Sequence, residues 1–160
     1  MNSKVVGDVS EAAVIAALLK SGMNVLMPFG DRNRYDVVVE RDVKFERIQI
    51  KTGRQKGKVV IFNTKSSTRV CGKRVDKGYE GQIESFAVYH RELDRVYVVP
   101  VKLAAKGNSR LRLGPRGGPG CGPQCAYAED FILRGISSVQ PEQPTVYRKV
   151  TGAKPVCPAI

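Results

Sequence analysis

Long apolar runs are missing from this sequence. No stretch approaches the roughly 20 residues that a membrane-spanning helix requires, which excludes a transmembrane segment. The opening "MNSKVVGDVSEAAV" lacks a basic region followed by an apolar block, so no signal peptide is expected and the protein is placed in the cytoplasm. Cysteine is scarce too: Cys71, Cys121, Cys125 and Cys157 do not make a disulfide framework in a 160-residue chain without a secretory signal. "CGPQC" spaces Cys121 and Cys125 like half a zinc site, but a full site needs two more ligands. The single histidine, His90, is far away in the chain and is expected to be structural or exposed at a strand end. Free thiols in a reducing compartment are the favoured reading. There is no internal repeat and no sign of a second domain.

Acidic side chains are also few. Fifteen Asp and Glu face 27 Lys and Arg, for a net charge of +12. A small domain with that imbalance binds a polyanion or is a basic structural protein. Nucleic acid is the favoured partner, because no basic amphipathic helix speaks for a membrane surface. Hydrophobic residues make up 42% of the chain, enough for a folded core. The expected organisation is one domain over residues 1–136 and an extended or partly disordered, proline-containing tail over 137–160.

Helical patterning runs from Asp8 to Lys20, with Asp8 as N-cap and Glu11 completing a capping box. At 3.6 residues per turn, Val14, Ile15, Leu18 and Gly22 share one side, and Glu11 lies within that apolar stripe. A short strand follows Gly22 and ends at Pro28. Two runs rich in Val and Ile, within Arg34–Arg54, form a hairpin around a turn at Arg41–Lys44. "VVIFN" is a third buried strand. Thr64–Lys77 is polar and basic and reads as a mobile loop. Phe86–His90 and Arg95–Pro100 are two strands, Arg110–Leu113 is a regular stretch in a Gly/Pro-rich region, and a short helix is expected around Ala126–Leu133. These elements make an α/β or α+β domain.

The hairpin holds polar residues where hydrophobic neighbours would bury them. Alternate strand residues share a face. Asp36, Val38 and Glu40 therefore align in one arm, and Phe45, Arg47, Gln49 and Lys51 in the other. If Glu40 pairs with Phe45, counting back pairs Asp36 with Gln49, and cross-strand partners project on the same side. A carboxylate beside an amide oxygen and a backbone carbonyl suits a hard cation such as Mg²⁺. A cation there polarises a phosphoryl oxygen and activates water, and Lys51 stabilises developing negative charge. Glu11 would add a second carboxylate from the helix. Arg47 would touch phosphate or pair with Glu40. Lys56, Lys58, Lys65, Arg69, Lys73, Arg74, Lys77, Arg110, Arg112 and Arg116 are the candidates for DNA contact.

"SE" at Ser10–Glu11, "RYD" at Arg34–Asp36 and "QIK" at Gln49–Lys51 resemble the core of the PD-(D/E)XK nucleases. Tyr35 stands where that pattern has Pro, and Gln49 where it has an acid. The ordered blocks from about residue 6 to 133 are more similar still to the group I intron homing endonucleases of this fold, which carry Gln at that position. The resemblance implies a restriction-endonuclease-like core, a mixed sheet with a central β-hairpin flanked by helices. It implies a sequence-specific, Mg²⁺-dependent endonuclease on double-stranded DNA, with Mn²⁺ as a substitute, working as a homodimer or homotetramer. By that analogy Asp36, Gln49, Ile50 through its carbonyl, and Glu11 hold the metal, and Lys51 serves the attacking water. A Holliday-junction resolvase of the same fold and a non-catalytic basic DNA- or RNA-binding protein are the alternatives.

Overall fold

A computed structural model describes residues 2–30, 32–41, 43–116 and 126–134. Helix α1 spans Ser3–Lys20 and starts ahead of the expected boundary. Its N-cap is Asn2, whose side-chain oxygen accepts from the Lys4 amide at 3.1 Å. The capping box expected at Asp8 and Glu11 is thereby corrected, since both residues lie inside the helix. Gly7 hid the first turns from view: glycine disfavours a helix interior by about 1 kcal/mol relative to alanine. The helix stops at Ser21, and Gly22 takes the left-handed turn that follows (φ 75°).

Nine strands follow among the described residues: β1 (Asn24–Leu26), β2 (Val37–Arg41), β3 (Lys44–Lys56), β4 (Val59–Asn63), β5 (Ser66–Val70), β6 (Lys73–Lys77), β7 (Ser85–His90), β8 (Arg95–Pro100) and β9 (Asn108–Arg112). Seven of them form one sheet with β3 as its spine. The first part of β3 pairs antiparallel with β2, and Ile48–Gly53 pair in parallel with β7. Its last residues pair antiparallel with β4. Strands β1, β8 and β9 extend the sheet from β2, β7 and β4.

Alternation along the strands divides the core into two layers. On one face Val14 and Leu18 of α1 pack with Val37, Val39, Ile48, Ile50 and Ala87. On the other, Phe62, Tyr79, Phe86, Val88, Tyr97 and Leu111 form a second cluster. Since Val37, Ile48 and Ile50 point to the helix, Gln49 and Lys51 emerge on the aromatic side. His90 is fully buried, which rules out the exposed strand-end reading.

The segment read as a mobile loop, Thr64–Lys77, is instead the β5–β6 hairpin. Cys71 and Gly72 join its strands with φ of 49° and 75°, the two positive values that a type I′ turn demands. Hydrophobic periodicity could not find it, because Val70 and Val75 are nearly its only apolar residues. The pairing rests on the backbone ladder and the turn. Smaller differences concern the helices. The expected helix near residue 126 is a 3₁₀ turn, Ala128–Phe131, and another 3₁₀ turn, Arg91–Leu93, joins β7 to β8. Among the described residues α1 is the one α-helix, where flanking helices were implied. None of the helices described is long and apolar enough to cross a membrane. Cys121, Cys125, Cys157 and the tail over 137–160 lie outside the described residues.

Candidate active site

The hairpin register is the one counted from the sequence, with Glu40 opposite Phe45 and Val37 opposite Ile48. Asp36 extends the ladder by one residue: its amide donates to the Ile48 carbonyl at 2.9 Å. That places its side chain against Gln49. Asp36 Oδ2 accepts from the Ile50 amide at 2.7 Å and from Gln49 Nε2. Gln49 Nε2 also approaches the Ile50 carbonyl at 3.4 Å. Asp36, Gln49, Ile50 and Lys51 are thus brought together, as expected, by one short hairpin.

Lys51 has a partner that sequence reasoning missed. Its Nζ donates to the Tyr79 hydroxyl at 3.0 Å and lies 4.7 Å from the ring centroid. Tyr79 is buried and packs edge-on against Phe86. The guanidinium of Arg34 stacks on the same ring at 4.3 Å. Arg34 also donates to Gln82 Oε1 at 2.6 Å, to the Gly78 carbonyl at 2.7 Å and to Ser66 Oγ. A column therefore runs from Lys51 through Tyr79 and Arg34 to the foot of the β5–β6 hairpin. Arg34 shares strand parity with Asp36, which was a usable sign. Tyr79 carried none, because it comes from a loop with no periodic pattern.

Glu11 sits on α1, across the sheet from Lys51, and reaches Asp36 through charge rather than through a hydrogen bond. Burial raises the Glu11 carboxyl above its ordinary value, and the charges of Asp36 and Asp8 raise it further. Burial likewise raises Asp36, against the opposing pull of the Ile50 amide, Lys51 and Gln49. Two carboxylates that both resist ionisation mark a locus that gains from added positive charge. The rotation of α1 is set nearby, where Ser10 Oγ and Thr52 Oγ1 share a hydrogen bond of 2.7 Å.

Arg47 does not pair with Glu40; its guanidinium and backbone amide donate to Glu84 instead, with contacts of 2.6 Å from both groups. That clamp ties the start of β3 to the entry of β7 and holds the Glu84 carboxyl below its ordinary value.

The ten basic candidates fall into separate places. Lys65, Arg69, Lys73, Arg74 and Lys77 belong to the β5–β6 hairpin and its lead-in. Arg110 stands opposite Ile61, which pairs with Arg54, and Arg112 stands opposite Val59, which pairs with Lys56. Those rows gather Arg54, Lys56, Arg110 and Arg112 on the face opposite Val60 and Leu111. Arg54 was not among the expected residues. Lys58 is exposed in the turn beside them. Arg116 is engaged internally, with Asp130 and over the Tyr127 ring.

Among the described residues no three His, Cys, Asp or Glu side chains gather into a metal-binding group. The donors gathered here are the Asp36 carboxylate and the Ile50 carbonyl, joined by the Gln49 amide. That set fits a hard cation that keeps much of its water. Gln49 now offers its N–H to Asp36, so it would contribute oxygen only after a half-turn of the amide.

An acid at the start of one arm, a lysine on the other and a helix laid across the sheet define a restriction-endonuclease-like nuclease. The model of the PD-(D/E)XK endonuclease family matches residues 1–133, and the chain belongs to that family. Among solved structures, the bacterial homing endonuclease I-Ssp6803I shares the fold with a TM-score of 0.67 and 23% identity, over 82% of this chain and 89% of that one. The comparison with curated proteins returns no match.

Proposed function

We propose that this nuclease is a divalent-cation-dependent endonuclease of the homing type, using Mg²⁺ or Mn²⁺ to cut a specific sequence in intracellular double-stranded DNA. One nuclease domain, residues 1–136, would carry the activity. The observation that carries this reading is the convergence of Asp36, Gln49, the Ile50 carbonyl and Lys51 on one hairpin, with Glu11 in electrostatic reach. The basic surface and the homing-endonuclease fold neighbour support it. A bound cation would supply a polarised phosphoryl oxygen and an activated water. Asp36 and the Ile50 carbonyl would hold it, with Gln49 and Glu11 in support. Lys51 presents its ammonium to the scissile phosphate and stabilises the charge that develops there. Tyr79 accepts one hydrogen bond from that ammonium and so aims its other two N–H groups. Each strand of a duplex needs one such site, so a homodimer or homotetramer is expected.

The test is cleavage of supercoiled plasmid and of a four-way junction by the purified protein, in Mg²⁺ and in EDTA. Metal-dependent cutting of duplex carrying the target supports the reading. Preference for the junction turns it toward a resolvase. Binding without cutting of any substrate, target included, turns it toward a non-catalytic binder.

Two variants probe the site's parts. Tyr79→Phe removes the hydroxyl that holds Lys51 and should slow cleavage about tenfold, the cost of a hydrogen bond to a charged group, with little change in DNA affinity. A loss confined to KM would show that Tyr79 serves binding instead. Gln49→Glu places a second carboxylate beside Asp36. It should lower the Mg²⁺ concentration for half-maximal binding about tenfold by calorimetry, because hard cations favour carboxylates over amides. Unchanged Mg²⁺ affinity would place the cation away from Gln49.

A further inference from the structure

We propose that the β5–β6 hairpin is a two-stranded ribbon that enters the major groove of duplex DNA and reads base edges with the face carrying Arg69 and Arg74. The inference rests on the nuclease reading above and names the element that selects the sequence.

Among the described residues the hairpin pairs with no other strand, and every strand residue beyond Ser66 is exposed. An isolated two-stranded hairpin is marginal in water. This one is anchored at its foot, where Arg34 grips Ser66 and Gly78. The same Arg34 stacks on Tyr79, which holds Lys51. The ribbon therefore projects from the column that ends at the active site, and DNA seated on it lies beside the catalytic lysine.

Its two faces differ. The pairs Ser67↔Asp76 and Arg69↔Arg74 put four hydrogen-bonding side chains on one side. Like charges directly opposite one another weaken a ladder, so Arg69 and Arg74 are set against the stability of the free hairpin. A partner rich in acceptors removes that conflict. Arg74 is also held in place: its Nε meets Asp76 Oδ1 at 2.9 Å and its second terminal nitrogen meets Ser67 Oγ at 2.9 Å. A guanidinium fixed in orientation, with donors to spare, is what bidentate recognition of guanine O6 and N7 requires. Lys73 and Lys77 belong to the other face, placed for the phosphates that flank a groove.

Size selects the duplex. Paired strands lie about 4.8 Å apart, so a ribbon with its side chains fits a B-form major groove about 12 Å wide. The deep, narrow major groove of A-form RNA excludes it. The tip is slim as well, being Cys71 and Gly72.

Selection of bound duplexes from a random-sequence pool, in EDTA so that nothing is cut, tests this. The full chain should enrich a defined motif. Arg69→Ala and Arg74→Ala should each lose preference at guanine-containing positions within it and bind the wild-type site about ten- to a hundredfold more weakly. Lys58→Ala should weaken all duplexes alike. Motifs unchanged in both arginine variants, equal weakening on every sequence, or no motif from the wild type would overturn the ribbon. Cleavage of the selected site in Mg²⁺, measured alongside, separates the two ideas: cutting with an unaffected motif sinks the ribbon alone, and no cutting sinks the nuclease reading.

Discussion

Asp36→Asn should slow cleavage by roughly 10³-fold or more, while the variant should still fold and bind duplex DNA like the wild type. Asparagine keeps the shape of the side chain and an acceptor for the Ile50 amide. It removes the charge on which a cation held at this hairpin would depend. Gel-shift affinity and cleavage of the same duplex check the expectation together, and undiminished cutting would remove Asp36 from the centre of the site. The pH dependence of stability gives an independent readout. Burial raises the Asp36 carboxyl, so the folded state holds its proton more tightly than the unfolded chain does. Wild-type stability therefore falls as pH rises from the ordinary Asp value through the raised folded one, and it stays reduced above that window. Asparagine does not titrate there. The variant also relieves Glu11, whose carboxyl is raised in part by the Asp36 charge. Melting curves in EDTA between about pH 4 and pH 7 should thus show the variant gaining on the wild type as pH rises. A gap that does not widen would mean that burial leaves the Asp36 charge uncompromised.

Gly53→Val should be the most damaging single change to the fold. Gly53 is buried in β3, beyond the stretch paired with β2 and just before the stretch paired with β4. A Cβ there would lie 2.7 Å from Val60 Cγ1, 3.0 Å from Val88 Cγ1 and 3.2 Å from the Tyr89 carbonyl. Both valines are fully buried and β-branched, so neither can swing away cheaply. Alanine alone should cost about 1–3 kcal/mol by overpacking. Valine adds two more methyl-sized groups and should exceed that range. For a domain of this size, each kcal/mol lowers the melting temperature by about 2–4 °C. Urea titration of the alanine and valine variants checks the order. A tolerated valine would mean that β3 and β4 separate more easily than their packing suggests. Lys51 lies two residues upstream on the same strand, so partial accommodation should also disturb the site.

The hairpin site was legible because its geometry is local. Strand parity and a short turn place Asp36 against Gln49 and Lys51, and the side-chain bond that results spans only 13 residues. The charge likewise pointed to a polyanion before any fold was known. Other features were partly legible. Glu11 stood out on the apolar stripe of α1, but Gly7 concealed where that helix begins, and the capping role assigned to Glu11 was an error of boundary. The β5–β6 hairpin hid because its alternation is polar, and hydrophobic patterning reports only faces that something buries.

What the sequence determined by itself, then, is the pairing of the β2–β3 hairpin, the basic character of the chain and its family pattern. Each follows from short-range geometry or from a simple sum over residues. Only the tertiary structure decided that Tyr79 holds Lys51, that Glu84 clamps Arg47 and that Ser10 meets Thr52, contacts between residues 28, 37 and 42 positions apart. Partners at such separations meet because the two faces of one sheet bury their own clusters and carry distant loops together. No local periodicity records which loop arrives beside which strand. That packing decided which oxygen and which aromatic ring stand around the lysine.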